Sequence, residues 1–186
     1  MKTHSPTPAA PDETASYAQD GLTAEFYRGR QDAVSDQAVI ILGGSDGNFK
    51  TTQQFAAAFA DHGLNTLALP YYGQPHLPKD LAQIPVETVE TAAGWHRRGF
   101  TRIGIWGISM GAQLALLAAS LIPAIGRVAA VSPLDVCVQG LQVSPRKRLL
   151  DCSAFTWRGQ DLPYCPLRMN RRRVWRDSLK SLGLNM

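Results

Sequence analysis

Residues 102–121 read Arg102-Ile103-Gly104-Ile105-Trp106-Gly107-Ile108-Ser109-Met110-Gly111, then Ala112-Gln113-Leu114-Ala115-Leu116-Leu117-Ala118-Ala119-Ser120-Leu121. The start is a short apolar run, which predicts a strand over Arg102–Trp106, buried on both faces. The end is rich in alanine and leucine, which predicts a helix over Met110–Leu121. Between them lies Gly107-Ile108-Ser109-Met110-Gly111, a G-x-S-x-G pentapeptide. Alone it is a weak signal. Between a buried strand and an apolar helix it has the context of a nucleophile elbow. The serine of an elbow occupies a tight, strained turn, so that its hydroxyl projects from the end of the sheet. Gly107 and Gly111 remove Cβ atoms that would clash where strand and helix cross. Ser109 is therefore the candidate nucleophile, at a helix N-terminus that favours developing negative charge. The competing reading is a glycine-rich strand-to-helix turn with a passenger serine.

The same alternation extends outward. Ala38–Leu42 is an apolar run closed by Gly43-Gly44. Phe49–His62 carries Phe55 and Phe59 at helical spacing, with Gly63 as a natural stop. Leu64–Leu69 is the next run, ended by Pro70. Pro85 opens a second helix as a first-turn residue, with Glu87 and Glu90 in its early turns and its end near Arg98. Val128–Val131 is a fourth strand, ended by Ser132-Pro133. This β-α-β-α-β-α-β order predicts the α/β class: a mostly parallel sheet with helices on both faces, joined by right-handed crossovers. The four strands are expected to be adjacent and buried, with Ser109 at the carboxyl edge. After Pro133 the alternation stops. Ser153–Pro166, with Trp157, Pro163 and Tyr164, suits an ordered loop, and Val174–Leu182 a weak helix. The chain thus divides into a flexible or partly ordered N-terminal segment (1–36), the core with the elbow (37–133), and a cap-like or truncated basic segment (134–186).

Composition narrows the classes. With 186 residues, 45% hydrophobic and 18% charged, the chain has the make-up of one globular domain. No apolar run approaches the ~18–20 residues of a membrane span, and the N-terminus lacks the apolar region of a secretory signal. Cys137, Cys152 and Cys165 are odd in number and form no C-x-x-C pair, so neither a disulfide framework nor a zinc site is indicated. A reducing cytoplasm is the default compartment, and no metal or cofactor is called for. The net charge is −3 over residues 1–36, zero over 37–145 and +7 over 146–186. The basic excess centres on Arg171-Arg172-Arg173. Without an accompanying recognition motif it does not point to nucleic acid; the plainer reading is a solvated face.

Gly43-Gly44-Ser45-Asp46-Gly47 follows the first strand of the core. An oxyanion needs two backbone N–H groups. One comes from the residue after the nucleophile, Met110, and the other from a loop after an earlier strand. Ser45 is the first choice for that second donor and Gly44 the alternative. The competing reading, a phosphate cradle, lacks the spacing of either common nucleotide-binding loop. Tyr71 and Tyr72 sit at a strand's carboxyl end, where open α/β sheets bind ligands. They are substrate-pocket candidates, with ordinary aromatic packing as the alternative. His76 is a loop histidine that could replace a missing base only by reaching across the site. His62 suits a helix C-terminus.

These segments together resemble the C-terminal catalytic domain of the acyl-CoA thioesterase and bile acid-CoA:amino acid N-acyltransferase family, a branch of the dienelactone-hydrolase-like α/β-hydrolases. The resemblance runs from about Val39 to Pro166. It is carried by Ile41–Gly47, Leu67–Gly73, Leu77–Leu81 with Ile84–Glu87, Ile103–Gly111, Ala130–Pro133, Trp157–Gly159 and Leu162–Tyr164. It implies an α/β-hydrolase fold, partial here, with Ser109 at the nucleophile position. It also implies action on a small-molecule acyl-CoA thioester or ester, by hydrolysis or by transfer to an amine. The chain departs from the pattern in three ways. The family's N-terminal β-sandwich domain is not seen. The fold orders its triad Ser, Asp or Glu, then His, whereas His4, His62, His76 and His96 all precede Ser109. Four core strands are recognisable where the fold usually has about eight. These departures lead to the expectation of a truncated chain, weak in catalysis and prone to self-association through an incomplete sheet edge. The alternatives are a non-catalytic pseudoenzyme or fragment and an anion-binding module.

Overall fold

The computed structural model describes residues 10–30, 36–96, 99–143 and 147–167. The elements run β1 (Glu13–Ala15), α1 (Tyr17–Asp20), β2 (Ala24–Tyr27), β3 (Gln37–Leu42), α2 (Phe49–Asp61), β4 (Asn65–Ala68), β5 (Ile84–Pro85) and α3 (Glu87–His96). They continue with β6 (Arg102–Ile108), α4 (Met110–Leu121), β7 (Ile125–Val131), β8 (Gln139–Gln142), β9 (Arg148–Ser153), β10 (Phe155–Trp157) and β11 (Gln160–Asp161). The main sheet has the order β1-β2-β4-β3-β6-β7. Its four central and right-hand strands, β4, β3, β6 and β7, are parallel neighbours, as the alternation predicts. Ile40 lies opposite Leu67 on one side and Ile105 on the other.

Side chains on successive strand positions point to opposite faces, and each face meets different helices. Ala38, Ile40, Leu42, Ile103 and Ile105 pack into one core cluster with Val89 and Ala92 of α3 and Leu114, Ala115 and Ala118 of α4. Ile41 and Ala68 face the other way, against Ala56, Ala57 and Ala60 of α2. Phe55 and Phe59 close that side on the Trp106 ring at 5.0 and 5.3 Å between centroids. Asn48 caps α2 by accepting from the Lys50 N–H at 3.2 Å, so the Gly43–Gly47 loop feeds straight into a helix start.

Four particulars differ from expectation. The N-terminal segment supplies an antiparallel ribbon: β1 pairs with β2, and β2 pairs with the edge of β4. Pro85 does not open a helix. It lies in β5, beside Thr156, and α3 starts at Glu87. Ser153–Pro166 contains strands as well as loop: β10 pairs in parallel with β5 and antiparallel with β11, and Phe155 is fully buried in the main core. Finally, β7 is a strand but not a buried one. Val128 and Val131 are 40% and 42% exposed, because among the described residues β7 is the last strand of the sheet and β6 alone pairs with it. Val174–Leu182 and Arg171–Arg173 lie outside the described residues, as does His4. Among the described residues no helix is long and apolar enough to cross a membrane.

Candidate active site

Strand β6 ends at Ile108 and α4 begins at Met110, so Ser109 makes the whole turn. Its φ of 54° and ψ of −118° are a conformation that non-glycine residues rarely adopt and that surrounding contacts must enforce. Those contacts are visible. The Ser109 N–H donates to the Val131 carbonyl at 2.9 Å, and its own carbonyl accepts from the N–H groups of Ala112 and Gln113 at 3.0 and 3.1 Å. The serine is therefore tied to β7 on one side and to the first turn of α4 on the other.

The glycines explain how the turn fits. A Cβ on Gly107 would lie 2.2 Å from the Gly111 carbonyl oxygen, and a Cβ on Gly111 2.2 Å from that of Gly43. A Cβ on Gly43 would lie 2.4 Å from Thr52 Oγ1 on α2. Strand β6, helix α4 and the Gly43–Gly47 loop thus touch backbone to backbone, an approach only glycine allows. A Cβ on Gly44 would be 3.8 Å from Ser109 Cβ, so the loop flanks the candidate nucleophile.

Ser109 and Ser45 are exposed, while Met110 is buried. Among the described residues the Ser45 N–H has no acceptor. The Met110 N–H is the first of α4 and lacks an intrahelical acceptor by position. Both groups chosen from the sequence as oxyanion donors are free to donate.

Tyr71 and Tyr72 are buried behind this loop, 3% and 5% exposed, with their rings 5.3 Å apart. The Tyr71 hydroxyl donates to the carbonyls of Gly43 and Gly44, at 2.9 and 3.1 Å. The Tyr72 ring fills the space beside Gly47, whose φ is 64°. Burial holds the Tyr71 phenol far above the ordinary tyrosine range. Burial, then the Asp46 charge, push Tyr72 up to about 12. Both remain protonated donors at neutral pH. With Gly43–Phe49 lacking only Ser45, and with Thr52, Leu69 and Pro70, the two tyrosines line a hollow of about 20 Å³. That is far below the roughly 300–1,000 Å³ of usual ligand pockets, and Ser109 is not on its wall. The hollow lies on the Tyr71–Tyr72 side of the loop. Asp46 steadies the loop, accepting from the Asn48 N–H and from Thr51 Oγ1, each at 3.4 Å.

The residues that would activate the serine are not gathered here. Ser109 Oγ hydrogen-bonds to nothing among the described residues. His62 ends α2, at the edge of the sheet opposite Ser109, where its Nδ1 lies 2.8 Å from the Ala58 carbonyl oxygen. His96 ends α3 at that same edge. The ring of His76 stacks on Tyr17 at 4.7 Å. Tyr17 precedes β2, which lies three strand spacings from β6, about 14 Å. Asp135, after β7, is exposed. Among the described residues no group of three or more His, Cys, Asp or Glu could hold a metal ion.

Gln113 went unread in the sequence. It is 2% exposed on α4, one turn past Ser109, and its Nε2 donates to the Val136 carbonyl. Its Oε1 is buried with no partner among the described residues. The available signal was a lone amide in an otherwise apolar helix. It pins the chain leaving β7 to the elbow helix.

Comparison with known proteins agrees with the architecture. No protein-family model matches the chain, and no curated protein matches it. A candidate dienelactone hydrolase from Klebsiella pneumoniae is similar in structure, with a TM-score of 0.50 and 18% identity over 68% of this chain and 60% of that one. An α/β hydrolase from a Penicillium species gives a TM-score of 0.51 and 20% identity over 63% of this chain and 43% of that one. A lipase-esterase related protein from Clostridium acetobutylicum gives 0.44 and 19%, over 60% and 46%. The chain spans less than two-thirds of the length of each. The likeness is one of fold: the α/β-hydrolase architecture, with a largely parallel central sheet.

Proposed function

We propose that this chain is a serine hydrolase of α/β-hydrolase type, acting on ester or thioester bonds through an acyl-enzyme at Ser109. The observation that carries the reading is the strained, exposed Ser109 at the strand-to-helix turn, with Gly44 of the Gly43–Gly47 loop beside it. In the step it implies, Ser109 Oγ bonds to the carbonyl carbon and the carbonyl oxygen becomes an oxyanion. The N–H groups of Ser45 and Met110 donate to that oxyanion, each donor worth about 2.7–4 kcal/mol in such sites. Collapse breaks the bond to the leaving thiol or alcohol, and water or an amine then takes the acyl group. The family resemblance favours an acyl-CoA thioester as substrate.

The proton on Ser109 Oγ needs an acceptor. Among the described residues no histidine hydrogen-bonds to Ser109 Oγ; with solvent water as the acceptor, turnover would be slow. Serine enzymes stripped of their triad keep ~10³–10⁴-fold acceleration over water from oxyanion stabilisation and binding. The same observation favours a second reading, a non-catalytic chain that keeps the elbow as structure. A fluorophosphonate probe separates the two. Labelling at Ser109 that Ser109→Ala abolishes supports the hydrolase; labelling that survives the substitution, or none at all, favours the second reading. Self-association through the outer edge of β7 accompanies either reading. Among the described residues that edge offers unpaired backbone groups flanked by the exposed Val128 and Val131.

A further inference from the structure

We propose that Tyr71 is the positioning residue of the oxyanion loop: its hydroxyl gathers the Gly43 and Gly44 carbonyls and so presents the Ser45 N–H on the opposite side, toward Ser109. The inference rests on the hydrolase reading for its catalytic meaning, but its structural content stands separately.

Along an extended chain successive carbonyls point to alternate sides. Here two successive carbonyls, at 2.9 and 3.1 Å, converge on one hydroxyl. That arrangement sets two parallel dipoles side by side, and a shared donor offsets their repulsion. A trans peptide holds its C=O and N–H antiparallel. Fixing the Gly44 carbonyl on Tyr71 therefore fixes the Ser45 N–H away from Tyr71. Gly44 itself lies against Ser109, and the Gly43 carbonyl is in backbone contact with Gly111. The phenol is well placed for this task. Its ring is packed in the main core with Tyr72, and burial keeps its proton in place at any working pH. Tyr71 touches no reacting atom; it acts through the loop.

The test uses the full chain and Tyr71→Phe, which removes the hydroxyl and keeps the ring. Tyr27→Phe is the control, since the Tyr27 hydroxyl donates to Glu25 Oε2 at 2.7 Å and not to a loop carbonyl. One readout is the ¹⁵N order parameter of the Ser45 amide, and the other is the rate of fluorophosphonate labelling at Ser109. In the parent chain and in Tyr27→Phe, Ser45 should be rigid, near about 0.85. In Tyr71→Phe it should fall below about 0.6, with reagent affinity unchanged and the maximal labelling rate down roughly 10–100-fold. A rigid Ser45 in folded Tyr71→Phe overturns the proposal. If the parent chain takes no label, the hydrolase reading fails, and the Ser45 order parameter alone decides for Tyr71. Should Tyr71→Phe not fold, 3-fluorotyrosine at position 71 keeps the ring and retunes the hydroxyl. Movement of the Gly44 and Ser45 amide resonances then supports the proposal, and unmoved resonances overturn it.

Discussion

Gly111 contributes no side chain, yet the site cannot be assembled without it. A Cβ there would sit 2.2 Å from the Gly43 oxygen and 2.8 Å from that of Leu42, both backbone atoms without room to retreat. Gly111→Ala should therefore cost about 3 kcal/mol or more in urea unfolding and abolish Ser109 labelling in whatever fraction folds. The buried tyrosines set the alkaline limit. Tyr27, Tyr71 and Tyr72 all have raised folded-state values, whereas an unfolded tyrosine ionises near 10. Their contribution is whole below pH 10 and is lost progressively above it, with Tyr72 itself ionising in the fold at about 12. The slope is about 1.4 kcal/mol per pH unit for each tyrosine. Stability measured by urea titration should be flat up to about pH 10 and fall between about pH 10 and 12, and a chain equally stable across that range would refute this. At this scale the sequence was most readable. Ser109, Gly107 and Gly111 are identifiable because the pentapeptide sits between a strand and a helix. The Tyr71 hydroxyl was not, because position after a strand places a residue and not the atom its hydroxyl meets.

Among elements, legibility followed length and locality. β3, β6, α2 and α4 announce themselves by apolar runs and helical spacing, since each is long enough for period and composition to register. β10 and β11 have three and two residues, too few for any alternation. β10 is defined by a partner about 70 residues away in β5, where Phe155 meets Ile84. Pro85 misled for a related reason: it suits a first helical turn, but pairing with Thr156 claims it for a strand. These strands are integral, because Phe155 is fully buried among Leu81, Ile84 and Val89. Phe155→Ala should therefore lower stability by about 3–5 kcal/mol in a single transition measured by urea titration. A change below 1 kcal/mol would mean that residues 134–167 do not belong to the cooperative unit.

Seen as a whole, the molecule has an unequal pair of sheet margins. At one end β1 is three residues long and mostly exposed, a short edge of the kind that discourages pairing. At the other, β7 has seven residues, open backbone and two exposed valines. Val131→Lys should weaken self-association measured by sedimentation at several concentrations, while leaving the melting temperature within a few degrees.

That inequality also decides stoichiometry. Among the described residues the antiparallel N-terminal ribbon covers the β4 margin, so the proposed self-association has one long open border to use instead of two. Two chains that join β7 to β7 about a twofold axis each use up that border, and the contact is isologous and closed. Association should halt at a twelve-stranded dimer. Deletion of residues 1–30 would uncover β4 and turn the same chemistry into an open-ended polymer, which light scattering would register as growth without a plateau.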